Sequence, residues 1–138
     1  MIRNVMKGEY IFSQVSTDAT KDDVQFGLDL KDTLMAYQGN CVGMAANMIG
    51  IYKNIIVILL QTGEPLLMFN PKIIKFSGKE HEVQEGCLSL DGVRKTKRYE
   101  AIKVQYYNEK FQLRIKNFKN LEAQIIQHEI DHCKGIVI

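Results

Sequence analysis

The sequence Asn120-Leu121-Glu122-Ala123-Gln124-Ile125-Ile126-Gln127-His128-Glu129-Ile130-Asp131-His132-Cys133-Lys134-Gly135 reads as a helix running from Leu121 to Lys134. Asn120 is a suitable N-cap, and Gly135 most easily takes the left-handed conformation that ends a helix. Leu121, Ile125, His128 and His132 step by four, three and four residues, so they share one face. The face is apolar around two histidines, which predicts that it is buried and that the imidazoles have partners there. His128-Glu129-Ile130-Asp131-His132 is also an HExxH motif. Imidazoles four residues apart on a helix can converge on one metal ion, while the intervening Glu is aimed at water beside it.

Working back from this helix, Phe111, Leu113 and Ile115 alternate with polar residues, as do Ile102, Val104 and Tyr106. The segment Tyr107-Asn108-Glu109-Lys110 between them predicts a hairpin. Further strands are expected at Ile55–Leu60, Leu66–Phe69, Lys72–Phe76 and Ala101–Tyr107, with turn residues such as Gly63, Gly78 and Gly92 between strands. Nearer the N-terminus, Phe26, Leu30, Leu34 and Tyr37 recur at helical spacing within Asp18 to Gln38, with Asp18 or Thr20 as cap. The expected architecture is α+β: mostly antiparallel sheet packed around a C-terminal metal-binding helix, with an N-terminal packing helix. No repeat or Pro/Ser-rich linker divides residues 1–138, so one domain is expected.

Composition excludes several classes. Apolar residues at 46% and charged residues at 25% fit a globular protein. A net charge of +2 gives no broad field for polyanions, so nucleic acid is not an expected partner. The most apolar run, Asn54 to Leu60, is far shorter than the ~20 residues of a membrane span, and the N-terminus has no basic segment followed by an apolar one. The expectation is a cytoplasmic protein. Cys41, Cys87 and Cys133 are odd in number and cannot complete a disulfide framework in a monomer, which fits a reducing compartment.

A catalytic metal site normally takes three protein ligands and keeps one position open. Cys87, in Glu85-Gly86-Cys87-Leu88-Ser89, is a candidate for the third, because a thiolate beside two imidazoles suits a transition metal. His81 is the other nearby candidate, but it falls in the polar stretch Lys79-Glu80-His81-Glu82 and reads as solvated.

Three segments together resemble the peptide deformylase family. Gly43-Met44-Ala45-Ala46-Asn47-Met48-Ile49-Gly50 is similar to its first motif, GxGLAAxQxG. Glu85–Ser89 reproduces its second, EGCLS, and Gln127–His132 its third, QHExDH. The resemblance implies removal of the formyl group from the N-terminal formylmethionine of newly made proteins. It implies Cys87, His128 and His132 as ligands of one divalent metal, physiologically Fe²⁺, which Zn²⁺, Ni²⁺ or Co²⁺ can replace. It makes Glu129 the acid/base and the Leu88 N–H an oxyanion donor. Val42, Gly43 and Gly86 match backbone positions that pair with an extended N-formylmethionyl peptide, and Arg94 matches a basic residue near that backbone. Leu121 and Ile125 offer an apolar wall to the substrate side chain.

Several departures accompany the match. Met48 stands where the family has a Gln whose amide supplies a second oxyanion donor, and a thioether has no N–H to give. Cys41 replaces a further Gly, and Gln124 falls on a turn that is usually apolar. Met48 therefore supports a second reading, a relative that keeps metal and peptide groove in a binding or regulatory role. A general HExxH peptidase would need a third ligand further downstream, where only six residues follow His132.

Overall fold

The computed structural model describes Met1 to Ile138. Its strands are β1 (Gly43–Ala45), β2 (Ile55–Leu59), β3 (Pro65–Gly86), β4 (Val93–Tyr107) and β5 (Leu113–Lys119), and its helices are α1 (Val24–Ala36) and α2 (Asn120–Cys133). The strands form one antiparallel sheet in the order β1-β2-β3-β4-β5. The expected α+β architecture, with a packing helix before the sheet and the HExxH helix after it, is what the chain adopts.

The apolar run of β2 is explained by burial on both faces. Ile55 and Val57 join Leu30, Leu34, Leu67 and Phe69 in a core beneath α1. Ile56 and Ile58 join Ile102, Val104, Tyr106, Ile126 and Ile130 in a second core beneath α2. Gly27 lets α1 sit close to the sheet, since a Cβ there would fall 2.3 Å from the Phe69 ring.

Two expectations change at β3 and β4. Leu66–Phe69 and Lys72–Phe76 are not separate strands but parts of one strand of 22 residues, continuous through register shifts at Phe69/Lys72, Ile73/Lys75 and Ser77/Glu80. Asn70 (φ 51°) and Gly78 (φ 76°) take left-handed conformations that let the strand bend without ending. Asn70 is also pinned by its own amide, which accepts from the Ala19 N–H at 2.7 Å and donates to the Ala19 carbonyl at 2.9 Å. The second change is that β3 and β4 pair far beyond the apolar segments, from Glu80↔Tyr99 to Gly86↔Val93. Most residues of this arm are exposed, so no alternating apolar pattern marks it.

The helix starts also differ in detail. Thr20 caps a short 3-10 turn, Lys21–Asp23, that leads into α1, with Asp23 completing a capping box. At α2, Asn120 is the first helical residue and not the cap; its φ of 56° turns the chain directly from β5 into the helix. Gly135 ends α2 in the left-handed region, as expected, and its N–H donates to the His132 carbonyl at 3.0 Å.

Candidate metal centre

α2 presents His128, Glu129 and His132 from a buried stretch. Cys87 begins the turn that leaves β3, and its Sγ and one ring nitrogen from each histidine lie within 4.8 Å of one another. Cys87, His128 and His132 thus converge from two segments about 40 residues apart in sequence, a spacing that suits one ion held by three ligands. His81 is exposed on the β3 arm and takes no part.

Each histidine is oriented by oxygens. His128 Nδ1 lies 2.8 Å from Glu85 Oε1, which leaves its Nε2 for a metal. His132 has Glu129 Oε1 at 3.1 Å from Nδ1 and the Ile138 backbone oxygen at 3.1 Å from Nε2. Whichever nitrogen takes a metal, the other keeps an oxygen partner. Phe12 stacks on the His132 ring, with centroids 4.4 Å apart and planes at 29°. The Asn47 amide donates to the His132 carbonyl at 2.8 Å, tying the segment after β1 to the end of α2.

The electrostatics fit a cation. Burial pushes the Cys87 thiol up, but hydrogen bonds with His128 and His132 outweigh it and bring it down to about 7. Burial alone would lower His128, yet Cys87 and Glu85 raise it to about 9. His132 is likewise opposed by burial and carried to about 10 by Glu129 and Cys87. Without a metal the imidazoles hold protons against the surrounding thiolate and carboxylates. A divalent ion would displace those protons, so its affinity falls as pH falls.

A cavity of about 680 Å³ opens beside this cluster. It is lined by Val42, Gly43, Met48, Gly86, Leu88 and Ile125, and also by Leu121, which is 50% exposed. Gly43 has a reason to be Gly: a Cβ there would meet Ile125 Cγ2 at 2.7 Å and Glu129 Oε2 at 2.9 Å. Gln124 lines the same cavity, giving a polar patch to its helix wall. Arg94 does not line it; its guanidinium is 3.2 Å from Glu9 Oε1 and donates to the Asp91 carbonyl at 3.4 Å.

Residues around the ligands were not singled out by sequence reasoning. Glu85 is buried and takes hydrogen bonds from His128 and Arg98, which, despite its burial, hold its carboxyl down at about 2. Glu85 could have been found from its place in the EGCLS motif. Arg98 is one more cation in the run Arg94-Lys95-Thr96-Lys97-Arg98, and nothing in that run distinguishes it. Phe12 carried no signal, because the short apolar run Tyr10-Ile11-Phe12 reads as ordinary core.

Comparison with known proteins supports the same assignment. The polypeptide deformylase family model matches residues 5–138. A peptide deformylase of Clostridium beijerinckii is 47% identical over 139 aligned residues that cover all of both chains. Peptide deformylase 1 of a Nostoc strain is 34% identical, covering 94% of this chain and 73% of its own. The fold is similar to a class I type b peptide deformylase from Acinetobacter baumannii, with a TM-score of 0.87, 26% identity and coverage of 99% and 97%. With the family model spanning nearly the whole sequence and a full-length relative at nearly half identity, the chain belongs to the polypeptide deformylase family.

Proposed function

We infer that this protein is a metal-dependent peptide deformylase that removes the formyl group from the N-terminal formylmethionine of newly made proteins. The observation that carries the reading is the convergence of Cys87, His128 and His132 beside the Glu129 carboxylate, at the wall of a cavity open to a peptide end. A bound divalent ion supplies Lewis acidity, lowering the pKa of water and polarising the formyl carbonyl. Fe²⁺ is the ion proposed, on the family resemblance; the thiolate and imidazole set also suits Zn²⁺, Ni²⁺ and Co²⁺.

Glu129 takes a proton from the attacking water and passes it to the departing amine. The Leu88 N–H donates to the oxygen that gains charge. Val42, Gly43 and Gly86 lie where an extended peptide can pair, because β1 is an edge strand and the Glu80–Gly86 part of β3 is paired only on its β4 side. Leu121 and Ile125 receive the methionine side chain, and the exposure of Leu121 leaves apolar area for that contact. The related Acinetobacter baumannii structure is bound to Met-Ala-Ser, a tripeptide that begins with methionine. Arg94 would have to leave Glu9 to reach a substrate backbone. No helix is long and apolar enough to cross a membrane; a cytoplasmic monomer acting on nascent chains is the proposed setting.

Met48 favours a second reading, a weakly catalytic relative that binds metal and peptide ends. Formyl-Met-Ala-Ser and acetyl-Met-Ala-Ser, offered to Fe²⁺-loaded protein, separate the two. The deformylase reading expects formate release and no acetate release. Peptide binding without formate release would transfer the assignment to the second reading.

A further inference from the structure

We propose that Arg98 is a positioning residue of the metal centre, whose guanidinium ties the segment carrying Cys87 to the helix carrying both histidines. The proposal rests on the metal reading above. Arg98 is on β4, 4% exposed, and contributes no ligand. Its Nε lies 3.2 and 3.1 Å from the two oxygens of Glu85, and its Nη2 is 2.8 Å from Glu85 Oε1. Its Nη1 reaches Asp131 Oδ2 at 2.6 Å. Glu85 lies two residues before Cys87, and Asp131 lies next to His132. One planar fork therefore holds both ligand-bearing segments at once.

The chemistry of Glu85 makes the fork necessary. Its Oε1 also meets His128 Nδ1 at 2.8 Å, a contact that fixes the ring orientation and leaves Nε2 with its lone pair for a metal. A buried carboxylate needs a paired counter-charge, or it moves or takes up a proton. Arg98 is that counter-charge, and it keeps Glu85 an acceptor aimed at His128. The link to Asp131 adds what a simple ion pair would not: it fixes the rotation of the last turn of α2 relative to the Cys87 turn. Lysine would keep the charge, but one ammonium cannot reproduce a fork spread over two carboxylates.

The test uses the full chain with Co²⁺ as probe. It compares wild type, Arg98→Met, Arg98→Lys and Asp131→Asn for Co²⁺ dissociation constant, visible absorption and Tm of the metal-free protein. Arg3→Met is the control: it breaks an ion pair with the buried Asp29 on α1, away from the ligands. Loss of an outer partner of a metal ligand commonly costs about 10–100-fold in affinity, and that is the expected loss for Arg98→Met. Arg98→Lys and Asp131→Asn should each lose part of that, with altered cobalt bands, while Arg3→Met lowers Tm and leaves affinity and spectrum unchanged. Should Arg98→Met fold too weakly to assay, Arg98→Lys and Asp131→Asn carry the test. Wild-type affinity and spectrum in both of these overturn the proposal, as does an affinity loss that merely follows Tm in the control as well. A wild-type chain that takes up no Co²⁺ removes the metal reading itself, a result distinct from any difference between variants.

Discussion

Cys41, on the chain entering β1, and Cys87, on the turn leaving β3, line the same cavity and are both half-buried. They are chemically opposite. Cys87 is brought down to about 7, whereas burial and the nearby Glu129 carboxylate push Cys41 up to about 12. Cys41 donates to the Gly43 carbonyl at 2.8 Å, inside its own loop, while Cys87 faces two imidazoles. Equal burial thus gives an inert thiol on one rim and a ligand on the other; what separates them is which residues α2 brings within reach. Cys133, buried on α2 itself, is likewise pushed up to about 12 by burial and then by Glu129, so being on the metal helix is not what makes a ligand.

The sharpest way to break this contrast is to remove each thiol. Cys87→Ala should abolish bound metal, and activity with it, while Cys41→Ala and Cys133→Ala retain it, as read by elemental analysis. Full occupancy in the Cys87 variant would exclude it as a ligand. Glu129 tests the difference between holding the ion and moving protons. Glu129→Ala should keep its metal and lose about 10²–10⁴ in deformylation rate. Unchanged turnover would assign the proton transfers to another group.

The thiols can also be compared directly in metal-free protein. Cys87, brought down to about 7, carries far more thiolate at neutral pH than Cys41, pushed up to about 12. The lower intrinsic nucleophilicity of a low-pKa thiolate offsets part of this, leaving Cys87 alkylated about 10²–10³ times faster. Its rate should rise with pH to a plateau above about 7 and collapse on adding metal; mass spectrometry of the labelled peptides reads it, and equal rates at the two sites would refute the contrast. The smallest effect is expected at Met48, which shares the cavity but offers no donor. Met48→Gln restores an amide of similar length and should raise turnover by about ten-fold to 10³-fold, with metal content unchanged. A fall from an already high rate would mean that another donor serves the oxyanion, or that the site is shaped around the thioether.

Legibility differed from element to element for physical reasons. α2 announced itself twice, through its apolar spacing and through His128 and His132 four residues apart, because burial and ligation use the same helical period. The strand β2 was legible as an apolar run bounded by polar residues. The arm formed by Ser77–Gly86 and Val93–Arg98 was not, since most of its residues are exposed and the covered positions of its β4 half are held by Arg94, Thr96 and Arg98, which give no apolar alternation. The continuity of β3 through Asn70 and Pro71 was hidden for a related reason: residues that usually stop a strand also make bulges, and only the pairing partner distinguishes the two.

At the site, the sequence by itself determined the residues whose chemistry depends on their own side chains and short spacings. These are the HExxH pair with its Glu, the Cys in EGCLS, and the absence of an amide at position 48. The tertiary structure alone decided what depends on partners distant in the chain. It brought Cys87 up to the two imidazoles, left Arg94 on Glu9, and made Arg98, one cation in a basic run, the buried counter-charge of Glu85 and Asp131. A guanidinium looks the same in a sequence wherever it lies; its role is set by which carboxylates the fold places around it, and by how little water remains there to compete.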